Sequence, residues 1–247
     1  MKLALESPIN LLEDIQPLAD FDWILADEVI KSPEYALYYK NSKRLKVLDN
    51  SVNELGIPLG INWLIETADK VSADYIVSPD WLGDAEKTFE CYREFSKKTL
   101  KYKILPVLQG KDIDECITYA YKYKDCGGEY ICIPYDICCN RHVSTLQMCH
   151  MRFLVVNGIW KMFKCIHLLG MTCLEEFGHY LTSGITNIKS VDTGYPISCG
   201  MYGFRFGKDE LPDKSKCTWD HFKEANSVNS YNIYYNIAYL RRLINAI

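Results

Sequence analysis

The sequence lacks a CxxC pair, a glycine-rich phosphate loop after its first apolar run, any internal repeat, and any low-complexity segment or linker. It also lacks an uncharged stretch near the ~20 residues of a membrane span. Phe153 to Trp160 is too short for that role and is followed by Lys161 and Lys164, so no membrane partner is expected. Met1 to Asp20 carries Glu6, Glu13, Asp14 and Asp20 and has neither the basic start nor the apolar centre of a secretory signal, so a cytoplasmic location is expected. Positive charge is not in excess. The net charge of −4 does not advertise nucleic-acid binding as a strongly basic chain would, and does not exclude it.

Cysteine is abundant but unpatterned. Eleven scattered cysteines, an odd number, do not read as a disulfide framework, and reduced thiols are expected. Cys126, Cys132, Cys138 and Cys139 cluster with His142, but Cys132 lies inside the apolar run Tyr130 to Pro134. Small buried hydrophobes fit these thiols better than a metal site, and neither metal nor cofactor is expected.

What the chain does have is alternation. Short apolar runs stop at polar residues: Leu45 to Leu48 at Asp49, Tyr75 to Pro79 at Asp80, Ile104 to Leu108 at Gln109, and Asn187 to Val191 at Asp192. Helical patterns separate them, over Ile57 to Val71, Asp84 to Leu100, Asp112 to Tyr123, His142 to Phe163 and Leu174 to Leu181. Tyr130 to Tyr135 and Cys165 to Leu169 read as further strands, and Ser230 to Ile247 as a last helix. Asp22 to Ala26 competes with Tyr35 to Tyr39 for the first strand, and Met201 to Phe206 is the candidate for the last. The length of 247 residues is close to the ~250 of a (β/α)8 barrel, so one α/β domain of that type over residues 1–247 is the expected fold. An open doubly wound sheet is the alternative, without its usual glycine-rich loop.

In a barrel of parallel strands the carboxyl ends meet on one rim, which would gather Asp49, Asp80, Gln109 and Asp192 around one pocket. Singly, each has a plainer reading. A strand-end aspartate is often a helix cap or turn residue, Gln109 a solvated loop amide, and His167 a packed strand residue. Asp136 with Arg141 fits a surface turn, and Glu54 a solvated position; these and His167 stand outside the expected core site.

The order and spacing of Leu48-Asp49-Asn50-Ser51, Val77-Ser78-Pro79-Asp80, Pro106-Val107-Leu108-Gln109-Gly110, His167-Leu168-Leu169-Gly170-Met171 and Ser190-Val191-Asp192-Thr193 resemble the tRNA-guanine transglycosylases. The resemblance spans about Leu45 to Gly203 and is strongest to the phage and bacterial branch that inserts 7-deazaguanine bases into DNA. It implies a (β/α)8 barrel that exchanges guanine in a polynucleotide for a free deazaguanine such as preQ0 or preQ1, in the host cytoplasm if the gene is a phage's. By resemblance, Asp192 is the nucleophile that forms a glycosyl ester and Asp49 the general acid and base. Asp80 would read the ring N–H and amino group of the base, and Gln109 its carbonyl. Gly110 and Gly170 would allow close backbone approach, with Tyr135, Met171 or Trp81 stacking on the extruded base.

The zinc motif that follows the nucleophile in the tRNA enzymes, a CxCxxC with a distant histidine, is missing: only Cys199, Cys217 and His221 follow Asp192. That absence favours DNA over tRNA as partner. The Gly-Gly-Leu-like segment after the fifth strand is replaced by Ile133-Pro134-Tyr135-Asp136, which bears on base selectivity. Lysine and arginine cluster at several points, and Arg205 with Lys208 is best placed to meet phosphates. The competing functions are a tRNA-type enzyme, a catalytically silent nucleic-acid-binding partner subunit, and an N-glycoside hydrolase. Retention of both Asp49 and Asp192 favours catalysis, since a silent subunit needs neither. Sequence leaves the oligomeric state open.

Overall fold

A computed structural model describes residues 1–98, 101–138, 143–171, 173–211 and 230–246. Two four-stranded parallel sheets form its centre. One has the order β1 (Lys2–Leu5), β8 (Ile188–Thr193), β7 (Cys165–Leu169), β6 (Tyr130–Pro134); the other runs β2 (Asp22–Leu25), β3 (Lys46–Asp49), β4 (Tyr75–Val77), β5 (Lys103–Leu105). The sheets are linked beyond β5, where Val107 bridges Cys132 in parallel, Leu108 N–H donates to the Cys132 carbonyl (2.9 Å) and Cys132 N–H to the Pro106 carbonyl (2.8 Å). At the other side Asp20 N–H donates to the Leu3 carbonyl and Leu3 N–H to the Asp20 carboxylate, both at 2.7 Å.

The principal helices are α1 (Leu12–Ile15), α2 (Ala26–Lys31), α3 (Pro33–Asn41), α4 (Val52–Leu55), α5 (Ile61–Val71), α6 (Ala85–Lys98), α7 (Ile113–Asp125), α8 (Thr145–Ile159), α9 (Glu175–Ser183), α10 (Tyr195–Met201) and α11 (Ser230–Asn245). Among the described residues no helix is long and apolar enough to cross a membrane. The period-two alternation of the strands sorts side chains into two environments. Ile24, Leu48 and Ile76 pack outward with α3 and α5, and Leu3, Ile131, Ile133, Ile166, Leu168 and Val191 outward against α7 to α11. Their neighbours Ala4, Trp23, Leu25, Val47, Val77 and Cys132 turn inward and form a separate apolar cluster between the sheets.

Several expectations need correction. The first strand is Lys2–Leu5, a four-residue strand inside the acidic amino-terminal stretch; the run expected over Asp22 to Ala26 supplies the second as Asp22–Leu25, and Ala26 begins α2. Tyr35 to Tyr39 lies within α3, where Ser32 accepts the Tyr35 N–H (3.2 Å) and Pro33 occupies the first turn, a start signal that outranks the aromatic run. Met201 to Phe206 is not a strand. Met201 ends α10, and the chain then turns so that α10 packs on α11; a Cβ on Gly200 would lie 2.6 Å from the Ile233 nitrogen. The strand expected to run to Asp80 stops at Val77, and the one expected to reach Gln109 stops at Leu105. The helix expected from Ile57 begins at Ile61, after the short α4. Arg141, Cys139, His142, Cys217 and His221 lie outside the described residues.

One polar cluster ties the loops after β6 and β7 to the helical layer. Arg152 on α8 is fully buried; its Nε and Nη2 donate to the two Glu176 oxygens (2.7 and 2.5 Å), and Nη1 to the carbonyls of Ile133, Leu169 and Gly170 (3.3, 2.8 and 2.8 Å). Tyr180 donates to Glu176 as well (3.0 Å). Removing the guanidinium leaves a buried carboxylate uncompensated, so Arg152→Met is expected to cost about 3–5 kcal/mol of stability. Urea unfolding of both chains measures it; a loss below about 1 kcal/mol contradicts the clip.

Candidate active site

The same alternation aims the polar strand ends. Asp49 stands two residues beyond inward-facing Val47, and Asp192 two beyond Ser190, which is paired in register with His167. Ala4 is opposite Asp192, so Glu6, two residues further on, arrives beside it; the Glu6 N–H donates to the Thr193 carbonyl (3.1 Å). Asp80 follows the end of β4. These side chains, with Glu54, Asp136, Asn50, Trp23, Tyr135, Gly170, Met171 and Tyr195, line one cavity of about 120 Å³ that opens to the surface. No lysine or arginine is among the described lining residues.

Asp192 is 2% exposed. Its Oδ1 contacts His167 Nε2 at 2.9 Å, and the Gly170 N–H donates to both oxygens at 3.1 and 3.2 Å. Burial pushes the carboxyl upward, but the His167 hydrogen bond and charge, the Glu6 carboxyl and the Gly170 N–H outweigh it and hold Asp192 below the ordinary carboxylate value. Asp49 moves the other way. Burial, then the charges of Glu54 and Asp192, raise it well above that value, and the Ser51 N–H (3.0 Å) does not compensate. Two carboxyls at the ends of strands from different sheets are thus pushed in opposite directions, Asp192 down and Asp49 up.

Asp80 is the most enclosed by amides. Asn50 Nδ2 donates to one oxygen (2.7 Å) and Gln109 Nε2 to the other (2.6 Å), while the Gly83 N–H donates to Gln109 Oε1 (3.1 Å). Burial raises Asp80 to about 6 against these amides, with the Asp136 charge adding to the rise. Gln109 thus serves Asp80 and does not line the cavity. Gly110 does not line it either: a Cβ there would lie 2.6 Å from Cys116 Sγ, so its smallness accommodates α7. Gly170 does line it, in the left-handed region at φ +63°, where any side chain would begin 3.2 Å from the Tyr135 ring.

Of the stacking candidates, Tyr135 and Met171 are at the cavity and Trp81 is in surface grooves beside α6. Trp23 occupies the floor, stacked on His167 with ring centroids 4.6 Å apart. Arg205 is half-buried and bonded to Asp209, Lys208 is exposed, and neither lines the cavity. Glu54, expected at a solvated position, is exposed, and Asp136, expected in a surface turn, lies in a turn; both also line the cavity. Sequence reasoning missed Glu6, which follows a strand too short to be read from its pattern, as well as Trp23 on β2 and Asn50, which adjoins Asp49. No family model matches the chain, and no curated protein matches it. Among the described residues no group of three or more His, Cys, Asp or Glu side chains is arranged to hold a metal ion.

Asp80 makes the site visible to titration. A carboxyl that the fold keeps protonated retains a proton the unfolded chain releases, so its contribution to stability falls as pH rises from 3.8 to about 6. In full this is about 3 kcal/mol. Asp80→Asn is expected to gain about 2 kcal/mol relative to wild type between about pH 4 and about pH 7, measured from urea midpoints. A difference that stays flat across that interval contradicts the raised value.

Proposed function

We propose that the chain is a base-exchange glycosyltransferase that replaces guanine in DNA with a free 7-deazaguanine. The two sheets with their linking contacts are read as one closed (β/α)8 barrel. The observation that carries the proposal is that Asp192 and Asp49 line one cavity with their carboxyls pushed in opposite directions, which supports the division of labour that cleavage and re-formation of a glycosidic bond requires. The order of the motifs along the chain is the second support.

In the proposed reaction Asp192 Oδ attacks the anomeric carbon while the bond to guanine breaks, and Asp49 gives its proton to the leaving base. The result is a glycosyl ester on Asp192, a carboxylate at Asp49 and neutral guanine. After guanine leaves, Asp49 takes the ring proton of the incoming deazaguanine, whose nitrogen attacks the anomeric carbon and frees Asp192. Atoms and protons balance, and no external acid is consumed. Asp80, once ionised, accepts the ring N–H and amino protons of the base, with Asn50 and Gln109 fixing its orientation. A wall rich in carboxylates and, among the described residues, without lysine or arginine favours a donor-rich base and repels phosphate, which leaves the polynucleotide backbone outside. Arg205 and Lys208 are the proposed phosphate contacts.

Mass spectrometry of nucleosides from DNA of cells that express the chain, supplied with preQ0 or preQ1, is expected to find the deazaguanine nucleoside. Asp192→Asn is expected to abolish it with the fold intact by circular dichroism. Normal exchange by that variant removes Asp192 as nucleophile. With purified protein, a covalent DNA adduct released only by added deazaguanine supports exchange; release by water alone identifies a hydrolase, and no adduct identifies a silent partner.

A further inference from the structure

His167 has a place that strand packing alone does not explain. It projects between the sheets from the middle of β7, 6% exposed, with Nε2 on Asp192 (2.9 Å) and Nδ1 on Ser190 Oγ (2.8 Å). An ionised carboxylate only accepts, so Nε2 carries the proton that faces Asp192, and Ser190 on the far nitrogen fixes the ring's orientation. Trp23 stacks on one face and Phe21 meets the ring edge-on, with centroids 6.3 Å apart. The imidazole thus has little freedom to turn away.

His167 and Ser190 also line a second cavity, of about 660 Å³, with Lys2, Asp20, Leu45, Tyr130, Cys165 and Lys189 from at or near the amino-terminal ends of the strands. Asp192 does not line it, and Trp23 borders both hollows. The nucleophile is approached from one mouth and its imidazole partner from the other.

We propose that His167 is a positioning residue for Asp192: it holds the carboxylate ionised and aimed at the substrate cavity, and it is reached through the cavity at the opposite mouth. The proposal rests on the base-exchange reading for its catalytic consequence and on the geometry alone for the pairing. The other ionisable groups around Asp192 are Glu6 after β1, Asp49 from β3, and Cys132 from β6, with Glu54, Asp80 and Asp136 in the same cavity wall. All are acids, and His167 is the one basic side chain touching Asp192 among the described residues.

The test has two readouts. The ionisation of Asp192 is followed by 13C NMR of the full chain labelled at aspartate carboxyl carbons. In His167→Ala its midpoint is expected to rise by about one pH unit or more, and 50 mM imidazole, entering the vacated space from the opposite mouth, is expected to bring it back. Ser190→Ala, which keeps the ring, is expected to move it less and in the same direction; it serves if His167→Ala fails to fold. An Asp192 midpoint unchanged in whichever of these variants folds overturns the proposal, and a rise that imidazole does not reverse in His167→Ala overturns access from the opposite mouth. The rate of adduct formation with DNA is expected to fall about 100-fold in His167→Ala, with the KM for free base within about threefold and at least tenfold recovery in imidazole. If the Asp192 midpoint depends on His167 but the wild-type chain forms no adduct, the base-exchange reading falls and the pairing stands.

Discussion

A carboxylate stays ionised inside a protein only where its neighbours return more than burial takes away. Asp192 meets that condition with three partners from three parts of the chain: His167 from β7, the Gly170 N–H from the loop after it, and Glu6 from the end of β1. Asp49 has one backbone N–H and two repelling carboxylates as its strongest neighbours. Two acids on one small cavity are thereby pushed in opposite directions, and the proposed chemistry depends on that separation.

The supports of Asp192 are themselves supported. Gly170 adopts a backbone conformation that suits glycine, its N–H faces Asp192, and its carbonyl is held by Arg152 from α8, which Glu176 holds in turn. His167 is clamped between Trp23 and Ser190. Polar groups buried in this way are costly unless every member is satisfied, and a satisfied network fixes one geometry. The helical layer thus fixes the orientation of the loops that carry the site, and the short parallel strands fix which residues face it.

Much of this was legible in the sequence, and the reasons for the gaps are physical. Asp49 and Asp192 were visible because an apolar strand that ends on an acid is readable from its period alone. Gln109 was visible as a residue but not in its orientation, since which way an amide turns is decided by Asp80 and Gly83, partners distant in sequence. Lys2–Leu5 was hidden because four residues carry too little pattern to stand out from flanking acids, and with it went Glu6. Tyr35 to Tyr39 was ambiguous because aromatic runs suit strands, and Ser32-Pro33 decided for a helix. His167 reads from sequence as a packed strand residue; its contact with Asp192 follows from strand register, which pairs it with Ser190.

Neutron diffraction from crystals equilibrated in D2O near pH 5 would locate the protons directly. The account predicts a deuteron on the Asp49 carboxyl, none on Asp192, and one on His167 Nε2 pointing at Asp192. A deuteron on Asp192, or none on Asp49, would contradict it.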